Sequence, residues 1–195
     1  MRPEAAEQRR QQGNLIRLGT VAELDLGVAR CRIRTGEITT DWIPWLVPRA
    51  GSTMEWSAPS IGEQGLVVCQ DGDTAAAVFL RGLYSDALPA PASAAGMHLI
   101  RFHDGTQIQY DASAHALTAA LCEGGTATLT ADSGVTVNAG GGVTINASSG
   151  TTINGDVQVN GKLVASDDVL AAGISLKSHV HPGVESGTSS TGAPQ

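Results

Sequence analysis

Long apolar runs are missing from this sequence of 195 residues, which carries a net charge of −7 at pH 7. A helix that crosses a bilayer needs about 20 predominantly apolar residues, and no such run is present. The N-terminal stretch MRPEAAEQRRQQGN is charged but has no apolar segment behind it, as a secretory signal would. We therefore predict a protein that is soluble as synthesised and is made in the cytoplasm without a signal peptide.

Aromatic residues and arginines are absent from the C-terminal part of the chain. The last aromatic residue is Tyr110, and the last of the ten arginines is Arg101. Beyond Arg101, only Lys162 and Lys177 oppose eight acidic residues. Such a segment lacks the basic patch that nucleic acids bind, so we predict no nucleic-acid partner. It also lacks the large side chains that fill an ordinary globular core.

Cysteines and catalytic combinations are equally scarce. Cys31, Cys69 and Cys122 lie far apart without a CxxC pair, which predicts reduced, buried thiols rather than a disulfide framework or a zinc site. No nucleophile and base stand at a diagnostic spacing, and the acidic residues occur mostly beside glycine in turns. We interpret three further histidines, His98, His103 and His115, as surface or strand residues. We expect no catalytic site and no small-molecule substrate.

Alternation of apolar and polar residues predicts strands in the first part of the chain. In LGVARCRIRTG, Val28, Cys31 and Ile33 alternate with arginines, and LIRLGTVAEL, GLVVCQ and AAAVFLRGLY are also typical of strands. About five short strands separated by Gly- and Asp-rich turns favour a small closed barrel of the OB type. We place this OB-fold domain at residues 14–86, after a polar leader at residues 1–13.

The chain then changes character twice. Residues 87–97, ALPAPASAAGM, are typical of a linker, and residues 98–123 are predicted to form a hairpin, or neck, with Asp104 and Gly105 at its turn. From Gly134, three units of eight residues follow, GVTVNAGG, GVTINASS and GTTINGDV. Each unit predicts a short β-branched strand followed by a tight turn.

The repeats hold too few apolar side chains for one chain to bury a stable interior. Three chains can bury them along a common axis, which predicts a trimeric, intertwined β-helix, or β-prism, over residues 124–178. A β-solenoid built by a single chain has the same periodicity and stays open as an alternative. The side chains predicted to face the axis are Val135, Val137, Val143, Ile145 and Ile153.

A His-Val-His motif lies close to the end of the chain. On an extended segment, residues i and i+2 project to the same side, so His179 and His181 would present two imidazoles together. Two ligands bind a metal poorly, but three chains would bring six imidazole nitrogens to one octahedral site. Imidazole suits iron, zinc, copper and nickel, and six ligands favour iron or another six-coordinate ion over tetrahedral zinc. Pro182 and Gly183 predict a sharp turn after the ligands.

The chain resembles the central spike, or baseplate assembly protein V, family of contractile-tailed phages and contractile bacteriocins. The stretches TTDWIPWLVPRAG and WSAPSIGEQG carry the resemblance in the first domain, and SHVHPG matches the tip of the family. The matching positions are Trp42, Pro44, Trp45, Arg49, Ala50, Gly51, Trp56, Pro59, Gly62 and Glu63.

The resemblance implies an all-β homotrimer, with an OB-fold barrel, a triple-stranded β-helix and a metal-capped tip at residues 179–195. His179 and His181 of each chain would hold one iron ion per trimer through six nitrogens. The implied partners are baseplate and tail-tube hub proteins and the host outer membrane, which the spike pierces on sheath contraction. The implied location is the tail baseplate of a virion or a contractile bacteriocin particle.

Longer members of this family insert a lysozyme domain between barrel and helix, and this sequence has only a short linker there, so a non-enzymatic spike is expected. Two alternatives stay open. One is a trimeric stalk that presents an OB-fold module for glycans or nucleic acids, and the other is an enzyme-carrying spike. We interpret Trp42, Trp45 and Trp56 as barrel core or trimer contacts rather than a stacking platform for ligands.

Overall fold

The computed structural model describes the backbone of residues 3–183, 185 and 187. Side chains are described for residue 8 and for residues 10–183, 185 and 187. The chain divides after Thr130 into two units. Eleven strands and one α-helix are assigned within the described residues, so the chain is mostly β, as predicted.

Helix α1, Pro3–Asn14, lies where the sequence analysis placed a polar leader without assigning it secondary structure. Its residues include Ala, Glu, Gln and Arg, which have high helix propensity, but they carry no apolar stripe that would have predicted a packed helix. The helix lies against a short 3₁₀ turn, Gln70–Gly72. A side chain on Gly72 would collide with the backbone of Gln11, so this contact requires glycine.

Six strands form the barrel of the first unit. The strands are β1 Ile16–Asp25, β2 Arg30–Thr35, β3 Ile38–Thr39, β4 Ile43–Pro44, β5 Gln64–Cys69 and β6 Ala77–Leu83. They are ordered β3-β2-β1-β5-β6, with β4 paired to β2. All of these strand pairs are antiparallel, and β1 contains a bulge between Val21 and Glu23. The OB-fold prediction is confirmed.

The barrel closes between the segment after β4 and strand β6. Trp45 forms a parallel bridge with Phe79, and the Leu46 amide donates to the Phe79 carbonyl at 2.9 Å. Phe79 is completely buried and is the largest fully buried side chain. The other core members alternate along the strands, as period two requires; they are Val21, Cys31, Ile33, Ile43, Trp45, Val67, Cys69 and Ala77.

Two glycines leave room for this core. Gly19 of β1 lies directly opposite Gly65 of β5. A Cβ atom on Gly65 would collide with the Leu80 carbonyl and would stand 2.7 Å from the Phe79 ring. A Cβ on Gly19 would collide with Ile33. The close approach of these strands therefore depends on glycine at both positions.

Buried polar groups in the barrel are satisfied. Thr40 accepts a hydrogen bond from the Ile33 amide at 3.0 Å, and Thr35 donates to the Leu18 carbonyl at 2.7 Å. Arg17 donates to the Thr35 hydroxyl at 3.0 Å. Among the described residues, no buried side-chain nitrogen or oxygen lacks a partner.

Two details of the first unit differ from the sequence interpretation. Val28, expected on the buried face, is 64% exposed because it lies in the turn between β1 and β2 rather than in a strand. Cys31 and Cys69 are buried as predicted, but Cys122 is only partly buried. Its thiol lies 3.4 Å from the Asp104 carboxylate.

A separate three-stranded antiparallel sheet occupies the region where one hairpin was expected. Its strands are β7 Met97–Arg101, β8 Gln107–Asp111 and β9 Ala116–Ala120, in the order β7-β8-β9. The turn between β7 and β8 contains Asp104 and Gly105, as the sequence suggested, and Gly105 has a φ of 91°. The third strand was missed because its side chains are all exposed and show no alternation.

The repeats in the second unit have turns but no strand ladder. Every residue from 121 to 169 is described, and none is in a strand. The amides of Gly142 and Gly150 donate to the carbonyls of Ala139 and Ala147, at 3.3 and 3.0 Å, so tight turns recur every eight residues. The predicted strands do not form within one chain, because the extended segments have no neighbouring strand to pair with.

Within the described part of the chain, we find no helix with the length and apolar character needed to span a bilayer.

Candidate metal centre

A short hairpin comes before the His-Val-His motif. Strands β10, Leu170–Ala171, and β11, Ile174–Ser175, pair antiparallel across Ala172 and Gly173. Both turn residues have positive φ, 51° and 84°, which is the backbone requirement of a type I′ turn. The two-residue turn fixes the register and so brings the residues that flank the two strands together.

The Ser175 carbonyl accepts two hydrogen bonds from His179. The backbone amide of His179 donates at 3.1 Å, and its ring nitrogen Nδ1 lies 3.0 Å from the same oxygen. A carbonyl oxygen can only accept, so Nδ1 must carry the proton in this arrangement. The other ring nitrogen, Nε2, then has a free lone pair, which is the form of imidazole that binds a metal.

His181 lies beside His179. The two ring centroids are 5.1 Å apart, and the ring planes meet at 81°. Val180, between them in sequence, is 86% exposed. The structure therefore brings together the two residues that the sequence analysis selected.

Asp168 is a residue of this region that the sequence analysis missed. Its Oδ1 accepts hydrogen bonds from the backbone amides of Val169, at 2.7 Å, and Lys177, at 3.1 Å. Hydrogen bonds lower the pKa of the Asp168 carboxyl below its usual value. The largest lowering comes from the Ser175 hydroxyl, and these backbone amides contribute less. No motif marks Asp168, because its partners lie up to nine residues away and depend on the register of the hairpin.

One chain does not supply enough ligands for a stable metal site. Within residues 3–183, 185 and 187, no group of three or more His, Cys, Asp or Glu side chains is placed to hold an ion. The donor chemistry fits, since both ligands are imidazoles and His179 has Nε2 available. A complete metal site would need donors beyond these two imidazoles.

The chain turns directly after the motif. Pro182 and Gly183 lie in a turn, and Gly183 has a φ of 80°. The remaining tail, VESGTSSTGAPQ, lies outside the described residues except for Glu185 and Gly187.

The tryptophans of the barrel take three different positions. Trp45 belongs to the barrel core, which is one of the two positions that the sequence analysis considered for the tryptophans. Trp56 is 65% exposed and packs edge-on against Trp45, with ring centroids 5.8 Å apart. Trp42 is 44% exposed, and the guanidinium of Arg32 lies 5.9 Å from its ring centroid.

Of the three histidines interpreted as surface or strand residues, one lies in a strand of the three-stranded sheet and two lie in the turns between its strands. His98 is in β7, opposite Tyr110 of β8. His103 lies in the β7–β8 turn, and His115 in the β8–β9 turn with a φ of 52°.

Sequence comparison matches two separate parts of the chain to known protein families. Residues 17–84 match the family described as the Type VI secretion system/phage-baseplate injector OB domain, and residues 173–195 match the GpV Apex motif. The barrel and the His-Val-His segment are thus the two parts of the chain that the comparison recognises. The resemblance to the baseplate assembly protein V family is confirmed.

One relative matches a longer stretch of the chain. The chain is 43% identical over 118 residues to the spike protein of Escherichia phage P2. The match covers 60% of this chain and 55% of the relative, so the chain matches just over half of the length of that protein.

Proposed function

We propose that the protein is the non-enzymatic spike at the centre of a contractile-tail baseplate, where it assembles as a homotrimer. The similarity to a phage spike protein and the baseplate-injector OB domain support this role. Its location would be the baseplate of a virion or of a contractile bacteriocin particle. Its partners would be the baseplate and tail-tube hub proteins.

The observation that supports a trimer is the exposure of apolar side chains in the repeats and in the residues that follow them. In one chain Val143 is 64% exposed, Ile145 70% and Leu163 74%. Monomeric proteins rarely leave so many apolar side chains in water along one segment. The same segment lacks strand partners, and three copies could satisfy both needs in an intertwined β-helix. A metal-capped tip at residues 179–195 would end it.

At the tip, His179 and His181 from three chains would together supply six imidazole nitrogens. Such a set suits a six-coordinate ion, and we propose one iron ion per trimer. When bound, the ion supplies bonds that tie three chain ends together. The residues of this chain orient the ligands, because the Ser175 carbonyl keeps the proton of His179 on Nδ1. Chain ends that would otherwise fray are thereby fixed.

The proposed action is mechanical. Sheath contraction would drive the trimer through the host outer membrane, tip first. A shaft with few charges and no aromatic side chains after Tyr110 has few of the groups that anchor proteins at membrane interfaces. A trimer that buries its apolar residues along its own axis would resist bending during this step.

Particles assembled with wild-type or altered protein test this function. We expect antibody labelling or electron microscopy to place the protein at the distal end of the baseplate. Particles that carry His179→Ala with His181→Ala should contract normally but release less periplasmic marker enzyme from target cells. Glycan binding or cell-wall hydrolysis by the purified wild-type protein would contradict the proposal and favour a binding module or an enzyme.

A further inference from the structure

A carboxylate and a hydroxyl hold the turn that presents His179. The Ser175 hydroxyl oxygen accepts hydrogen bonds from the backbone amides of Lys177, at 3.1 Å, and Ser178, at 2.9 Å. The Asp168 carboxylate accepts the same Lys177 amide at 3.1 Å. These bonds close the chain over residues 175–179, immediately before the second histidine.

The closed turn places one carbonyl against the histidine ring. The Ser175 oxygen can reach both the amide and Nδ1 of His179 only if the four intervening peptide units keep their direction. Substitution cannot remove a backbone carbonyl, but the side chains that fix this turn can be removed. They are therefore the means by which the sequence controls the orientation of the ring.

We propose that Asp168 and Ser175 are positioning residues that hold His179 in the tautomer with the proton on Nδ1. The free Nε2 is then presented for metal binding before the metal arrives. The consequence for metal affinity rests on the function proposed above, but the choice of tautomer does not.

Neighbouring side chains of the same type provide matched controls. Asp167 is adjacent to Asp168, but its carboxylate is 93% exposed and lies 3.5 Å from the Lys177 amine. Ser166 is an exposed serine in the same segment. Asp168 differs from Asp167 in accepting hydrogen bonds from backbone amides.

The first experiment measures the tautomer in full-length, metal-stripped protein labelled with ¹⁵N-histidine. Long-range ¹H–¹⁵N correlation spectra distinguish which ring nitrogen of His179 carries the proton. We expect the Nδ1–H form in wild type, in Asp167→Ala and in Ser166→Ala. We expect a mixture of both forms in Asp168→Ala and in Ser175→Ala. Ser175→Thr keeps the hydroxyl and should retain the wild-type form.

The second experiment measures iron binding by competition with a chelator at pH 7.5. Loss of a group that orients a metal ligand typically weakens binding by about 10–100-fold. We expect a loss of that size in Asp168→Ala and Ser175→Ala, and less than about a twofold change in the two controls and in Ser175→Thr. Light scattering on the same samples reports whether the assembly is retained.

The two proposals fail in different ways. If the His179 tautomer stays the same in Asp168→Ala and Ser175→Ala, or if Ser175→Thr behaves like Ser175→Ala, the positioning role is wrong. If the tautomer changes as expected while wild-type protein binds no iron, the positioning role stands and the metal-capped tip is wrong.

Discussion

His181 stands edge-on to His179, with ring centroids 5.1 Å apart and ring planes at 81°. This contact lies within one chain and joins the two residues that the proposed tip depends on. Two adjacent imidazoles can bind the same ion, and protons compete with the metal for both rings. Binding of the proposed metal should therefore depend measurably on pH.

We predict that the tip loses its metal as the pH falls below about 6, where histidine side chains ordinarily take up protons. Dialysis of the loaded protein at stepwise lower pH, followed by elemental analysis, measures the retained metal. Light scattering at each step separates loss of metal from loss of the trimer. Full retention down to about pH 4 would argue against histidine ligands.

The repeats give a prediction about assembly. Ile145→Ser should weaken the trimer by about 2 kcal/mol or more per chain, because Ile145 would be buried at the axis. Thr144→Ser, one residue earlier and on the opposite face, should change little. Sedimentation velocity at several protein concentrations measures the effect, and the altered trimer should dissociate at higher concentrations than wild type. A wild-type protein that stays monomeric throughout would favour the single-chain β-solenoid.

The barrel cysteines should differ from Cys122 in reactivity. Burial raises the pKa of Cys31 to about 11, and its thiol lies 3.6 Å from the Ile43 carbonyl. Burial also raises the pKa of Cys69. We expect iodoacetamide at pH 8 to modify Cys122 and to leave Cys31 and Cys69 unmodified in the native protein, as measured by peptide mass spectrometry. Equal labelling of all three would contradict the buried positions.

The same shift predicts how alkaline pH affects the barrel. A raised folded-state pKa means that the contribution of Cys31 to stability is complete below pH 9.0, its ordinary pKa, and is lost as the pH rises through about 11. Between pH 9 and pH 11, thermal unfolding should therefore show a larger loss of stability in wild type than in Cys31→Ala, which lacks this thiol. An identical alkaline loss in Cys31→Ala would assign the effect to other groups.

Gly65 should be intolerant of any side chain. Gly65→Ala forces a methyl group toward the Leu80 carbonyl and the Phe79 ring, and overpacking of this kind typically costs about 1–3 kcal/mol. Gly51→Ala is the matched control, because no atom lies within 4 Å of its added Cβ. Denaturant unfolding of both variants measures the difference. Equal stability would show that the barrel can relax at this position.

The sequence predicted the barrel because local patterns encode it. The arginines of β2 alternate with buried Cys31 and Ile33, and period-two alternation is a property of a strand that does not depend on its partners. Helix α1 and strand β9 were missed for the converse reason. Helix α1 carries no apolar stripe, and β9 is exposed along its whole length, so neither leaves a signal in hydrophobic spacing.

The candidate site likewise combines residues that local sequence patterns reveal with a residue that they do not reveal. His179 and His181 could be selected from sequence, because their i, i+2 spacing is local. Asp168 could not, since its hydrogen bond to the Lys177 amide depends on the register that Ala172 and Gly173 impose. Contacts set by register become visible only when the hairpin is built.

Native mass spectrometry of the purified protein is the decisive test of the proposed trimer and its ion, because it reports the number of chains and the bound ion together. We expect a complex of three chains that holds one iron ion. The double variant His179→Ala with His181→Ala should give three chains without the ion, and His98→Ala with His103→Ala should keep it. A monomer, or a wild-type trimer without metal, would contradict the proposed function.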